Sequence, residues 1–153
     1  ITDDVWVSPL GSDYTGLATQ NNPIKTITYA LEIIAPSDDN QITIHLDEGT
    51  YSPSLTNETF SIQMISNVNL IVAGEALTIL DAEQTDRVIT MEDCYNNSIS
   101  NITFTGGLAE GEGNVSDCCY TFKFWLNEYL MYIVTISCLI LISGHYRDGE
   151  LHL

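Results

Sequence analysis

The chain has 153 residues, 4 Lys+Arg against 21 Asp+Glu, and a formal net charge of -17. So acidic a surface repels phosphates and anionic lipid head groups, which argues against a nucleic-acid partner. Disorder is excluded as well, because 44% of the residues are hydrophobic and they fall in periodic runs long enough to bury a core.

Asp4 to Val7 opens the chain as a short alternating strand, with Trp6 on the face opposite Val5 and Val7. A loop rich in Gly, Pro, Asn and Asp follows up to Pro23. Pro23 and Lys25-Thr26 then open a helix whose apolar stripe is Ile27, Ala30, Leu31 and Ile34, and it ends near Ala35, ahead of Pro36. Gln41 to Leu46 alternates cleanly, with Ile42, Ile44 and Leu46 inward and Thr43 and His45 outward. In this pattern His45 is a surface histidine without a partner. Gly49-Thr50-Tyr51 and Phe60 to Ile65 supply two further strands.

Val68 to Gly107 holds several short apolar runs divided by polar turns. Its ends align at an offset of 32, with Asn69 over Asn101, Leu70 over Ile102 and Gly74 over Gly106. A long unit of short strands with a single early helix is the pattern of a parallel coil of strands, not of repeated strand–helix–strand units. The expected fold is all-β: a short parallel β-helix of about two coils with one helix ahead of it, which the resemblance below implies to be right-handed and capped by that helix. Residues 1–114 form the cap and coils, and 115–153 are a separate apolar segment.

Val5-Trp6-Val7-Ser8, Gly11-Ser12-Asp13, Asn22-Pro23-Ile24-Lys25-Thr26-Ile27, Gly49-Thr50-Tyr51, Leu70 to Gly74 and Ile102 to Gly107 together carry a resemblance. They resemble the N-terminal part of secreted right-handed parallel β-helix proteins of the pectate-lyase-like superfamily. The resemblance implies an extracellular or cell-surface protein whose helix covers the open end of the coil. Its motifs speak for fold and much less for activity, because that architecture carries lyases, hydrolases, adhesins and plain surface repeats.

The lyases of that superfamily hold Ca²⁺ with clustered carboxylates and use a basic side chain to remove a proton. By resemblance the Ca²⁺ candidates are Asp81, Glu83 and Asp86, with Glu92 and Asp93 in the next turn and Arg87 as the base. Solvated acidic turns explain the same residues more simply. The motifs of the related hydrolases, Asn-Thr-Asp, Gly-His-Gly and Arg-Ile-Lys, are missing, and Asp38-Asp39 precedes the coils. Trp6, Tyr14, Tyr51 and Tyr95 are candidates to stack on sugar rings, against the plainer reading that Trp6 and Tyr51 pack the base of the coil. The expected role is therefore structural, adhesive or carbohydrate-binding, with a polysaccharide or surface glycan as partner. A Ca²⁺-dependent lyase fragment is the alternative.

Ile1 begins the chain without a basic, apolar leader, which points to a removed leader or a piece of a longer protein. Sequons stand at Asn57, Asn96, Asn101 and Asn114, and a bridge from Cys94 to Cys118 or Cys119 is conceivable. Tyr129 to Ser143 is an uncharged run, shorter than the ~20 apolar residues of a bilayer span. A membrane anchor, a cover over the coil end and a non-native tail all fit it.

Overall fold

A computed structural model of the chain describes residues 1–72 and 77–108, together with the backbone pairing of 120–123 and 137–138. The first sheet starts with β1 (Val5–Val7), and α1 (Ile27–Ile33) follows the long loop. Thr26 caps α1 in extended conformation, its Oγ1 accepting the Tyr29 N–H at 3.2 Å. The carboxylate of Asp13 fixes the approach by accepting the Lys25 and Thr26 N–H groups and the Thr26 hydroxyl. At the other end Ile34 turns extended ahead of Ala35 and Pro36, as the sequence implies.

Three strand groups then repeat. They are β2 (Ile42–Leu46), β3 (Gly49–Tyr51) and β4 (Ile62–Gln63); β5 (Val68–Val72), β6 (Thr78–Asp81) and β7 (Ile89–Glu92); and β8 (Ser98–Ser100) with β9 (Ile102–Thr105). A short α2 (Pro53–Thr56) sits between β3 and β4, capped by Ser52 with Pro53 in its first position. The backbones of β10 (Tyr120–Lys123) and β11 (Ser137–Cys138) add outer strands.

All pairings between these strands are parallel, and the sheets have the orders β1-β2-β5-β8, β10-β7-β4 and β11-β9-β6-β3. From β2 to β10 consecutive strands therefore visit the three sheets in rotation. The chain is all-β, mostly strand with little helix, and its parallel sheets fit a β-helix. Inward residues stack in columns: Val5, Ile44, Leu70 and Ile99 in the first sheet, and Tyr51, Leu80 and Phe104 in the third. Ile62 and Ile89 form the column of the second. Ile27, Ala30 and Ile34 of the helical segment join the same core. Among the described residues no helix is long and apolar enough to cross a membrane. Apart from the backbone of 137–138, the Tyr129–Ser143 run lies outside the described residues, as do Asn114, Cys118 and Cys119.

The 32-residue alignment is corrected. Leu70 pairs with Ile99 and Asn69 with Ser98, whereas Ile102 pairs with Thr78 and Phe104 with Leu80. Asn101 is the cause. Its φ of 60 puts it in the left-handed region, and this single residue bends the chain from the first sheet into the third. The Asn-Ile-Thr-Phe run is therefore a strand after that bend, while the look-alike at Asn69 lies within β5. Gly74, the other half of the alignment, lies outside the described residues. The strand expected over Phe60–Ile65 is also shorter, although Ile62 and Met64 are buried as its alternation requires.

Polar ladders hold the turns. Asp38, Asn67 and Asn96 stand one above another, with Asn67 Nδ2 donating to Asp38 Oδ1 at 3.0 Å and Asn96 Nδ2 to Asn67 Oδ1 at 2.8 Å. Asn67 and Asn96 both have positive φ, which asparagine tolerates better than most residues. Each such bond links neighbouring rungs as a backbone ladder does, but through side chains.

Candidate functional site

Alternation along the first sheet sends one side chain in two to solvent, and the parallel register lines these up in rows. Trp6, His45, Ile71 and Ser100 form one row, and Thr43, Asn69 and Ser98 form a second. Neighbouring strands lie ~4.8 Å apart, close to the thickness of two stacked rings. Accordingly Trp6 and His45 stack with centroids 4.6 Å apart and planes 14° from parallel. Asp4 Oδ2 lies 3.4 Å from His45 Nε2, while its Oδ1 accepts the Thr43 N–H at 2.8 Å. The isolated surface histidine of the sequence analysis thus has two partners. Only the register, which brings β1 beside β2, reveals them.

The second row is tied together by amides and hydroxyls. Gln41 Nε2 donates to Asn69 Oδ1 at 3.1 Å and to the Asn96 carbonyl at 2.6 Å, and Ser98 Oγ donates to Asn69 Oδ1 at 2.6 Å. None of the outward positions of β1, β2, β5 and β8 is Lys or Arg. The result is an outward face with an aromatic–imidazole stack at one edge and hydrogen-bonding side chains across it.

The four aromatic candidates separate. Trp6 is half-buried on this face. Tyr95 is 58% exposed in the turn leading into β8, and its hydroxyl donates to Asp38 Oδ1 at 2.7 Å. That bond, with a smaller share from Asn67, holds the Asp38 carboxyl below its ordinary value, and it pushes the Tyr95 phenol up. Tyr14 projects fully into solvent from the loop after β1. Tyr51 is corrected: its ring is wholly buried, and its hydroxyl lies 3.0 Å from the Val7 carbonyl and 3.1 Å from that of Asp47. The inward phase of β3 takes this ring into the core, where desolvation raises the phenol and no sugar reaches it.

The Ca²⁺ candidates do not converge. Asp81 Oδ1 accepts the Glu83 N–H at 2.9 Å, and Glu83 accepts a hydrogen bond from the Ser54 hydroxyl. The Ser54 bond, then Ser52, holds the Glu83 carboxyl below its ordinary value. Asp86 Oδ1 turns back onto the Arg87 N–H at 2.7 Å. In a tight turn short acidic side chains satisfy nearby backbone donors first, which pulls them apart as ligands. Among the described residues, those around Glu92 and Asp93 included, no group of three or more His, Cys, Asp or Glu side chains is placed to hold a metal ion. Asp86, Arg87, Thr85 and Leu108 do line a cleft of about 270 Å³, and Arg87 Nε is buried there without a hydrogen-bond partner among the described residues.

Glu58 escaped notice in the sequence. It is 3% exposed, and its carboxylate accepts the N–H groups of Ile27 at 2.7 Å, Thr28 at 3.1 Å and Thr59 at 3.2 Å. It ties the start of α1 to the segment that enters β4. Nothing local in Asn57-Glu58-Thr59 announces a buried acid, since its partners lie in a helix some thirty residues earlier.

Residues 10–78, from the loop after β1 to the first residue of β6, match the family profile described as "Protein of unknown function (DUF1565)". No curated protein and no solved structure matches the chain.

Proposed function

We propose that the chain is the capped N-terminal part of a right-handed parallel β-helix like those of the pectate-lyase-like superfamily, displayed outside the cell. We infer that the outward face of its first sheet binds a polysaccharide or surface glycan without transforming it. The rotation of strands through three parallel sheets supports the fold, as does the near-universal right-handedness of parallel crossovers. The matched family, which is associated with right-handed β-helix proteins, agrees. In this reading α1 shields one end of the core, where uncovered apolar columns and strand edges would otherwise meet water.

The observation that carries the binding role is the Trp6–His45 stack at the edge of a hydrogen-bonding outward face. A pre-stacked indole offers a rigid apolar surface to the C–H face of a sugar at little entropic cost, while Asn, Gln, Ser and Thr side chains suit its hydroxyls. On a glycan array the protein is expected to retain a defined set of polysaccharides. Trp6→Ala weakens that binding about tenfold or more, by the ~1.4 kcal/mol that one lost aromatic contact is worth. Retention of the same glycans by Trp6→Ala at unchanged strength removes the face from consideration.

A further inference from the structure

We propose that this face selects uncharged glycans and rejects polyuronates and other anionic polymers. The inference rests on the glycan-binding reading above and names its substrate class. Among the described residues, the carboxylate of Asp4 stands on this face, placed beside the Trp6–His45 stack by its contacts with His45 and Thr43. Asp38 stands at the border, tied to Tyr95 and Asn67. No Lys or Arg occupies an outward position of β1, β2, β5 or β8 to offer a counter-charge.

A polyuronate brings a carboxylate with every sugar. Laid along the rows, it would set one near Asp4 with no Lys or Arg of these four strands between them, and like charges brought together across an interface exclude wrong partners. The whole molecule acts in the same direction, because a net charge of -17 lowers the local concentration of any polyanion. What the rows do offer is Gln41, Thr43, Asn69, Ser98 and Ser100, neutral groups that both donate and accept. Hydroxyls are the complement of such a surface.

The test is affinity electrophoresis of the protein through gels holding neutral polymers (β-glucan, xylan, galactan) or polygalacturonate. Each gel is run at physiological salt with chelator and again with Ca²⁺. Retardation by at least one neutral polymer, with polygalacturonate about tenfold weaker or inert in both conditions, is the expected result. Asp4→Asn, which keeps an oxygen for the Thr43 N–H, should narrow that gap, whereas Trp6→Ala should weaken neutral binding about tenfold or more. Polygalacturonate retarding the protein as strongly as the neutral polymers, with or without Ca²⁺, overturns the selectivity and leaves the binding face standing. If no polymer of either kind retards the protein, the binding face itself fails and the selectivity with it.

Discussion

Leu70→Asp is expected to unfold the chain, while the adjacent Ile71→Ser folds and melts close to the parent. Leu70 has no exposed surface and sits in the column between Ile44 and Ile99; Ile71 is the next residue along β5 and faces outward. Removing a buried leucine side chain costs about 2–5 kcal/mol. Placing an unpaired carboxylate among the apolar side chains adds several kcal/mol more, by rough estimate. Together these reach the ~5–15 kcal/mol total stability of an ordinary domain. Ile71→Ser leaves the column intact and should change stability by no more than ~1 kcal/mol. Thermal melts followed by circular dichroism separate the two outcomes. Equal melting of both variants would mean that the inward phase of β5 is assigned to the wrong face.

The second large effect belongs to Glu58. Glu58→Ala strips three backbone donors of their acceptor, two of them at the start of α1. Unsatisfied buried donors cost ~1–3 kcal/mol each, so a loss on the order of 2–5 kcal/mol is expected after partial relaxation. The same residue gives a pH dependence. Burial raises the Glu58 carboxyl above its ordinary value of 4.5, against the lowering effect of its hydrogen bonds. The folded state therefore holds that proton more tightly than the unfolded state does. Its stabilising share is fully present below about pH 4.5 and is lost as pH rises through the raised folded value. Asp38 and Glu83, held below their ordinary values of 3.8 and 4.5, act in the opposite sense: their share is present above those values and is lost as pH falls through the still lower folded ones. Melting temperature should accordingly fall from about pH 4.5 toward neutrality, and Glu58→Gln, with no proton to lose, should flatten that slope. A slope identical in Glu58→Gln and parent would take Glu58 out of the account.

Strands and helix were legible because their signals are local. The alternation of Ile42, Ile44 and Leu46 required no partner to be read, and Thr26 before the Ile27–Ile34 stripe marked the helix start. Register was not legible, because it depends on turns of unequal length. Ile44 and Leu70 are stacked partners 26 residues apart, Leu70 and Ile99 are 29 apart, and Leu80 and Phe104 only 24. No single period runs through such a coil, so the offset of 32 matched two runs of similar spelling that occupy different sheets. The site suffered the same way. Trp6 stood out as an aromatic residue, but its stack on His45 is a relation between strands. For Tyr51 the packing reading holds and the stacking one falls; a three-residue strand carries too little alternation to show which face its last residue takes. The acids at 81, 83 and 86 were adjacent in sequence, and the hydrogen bonds of a tight turn point them in different directions.

The most direct test of the architecture is a nuclear Overhauser spectrum of the labelled protein, read for backbone contacts between rungs. Parallel pairing of β5 with β8 predicts cross-peaks joining Asn69 to Ser98 and Leu70 to Ile99, together with others joining Ile79 to Thr103 in the third sheet. Cross-peaks joining Asn69 to Asn101 and Leu70 to Ile102 in their place, or an antiparallel pattern between β2 and β5, would contradict the three-sheet rotation on which the proposed binding face depends.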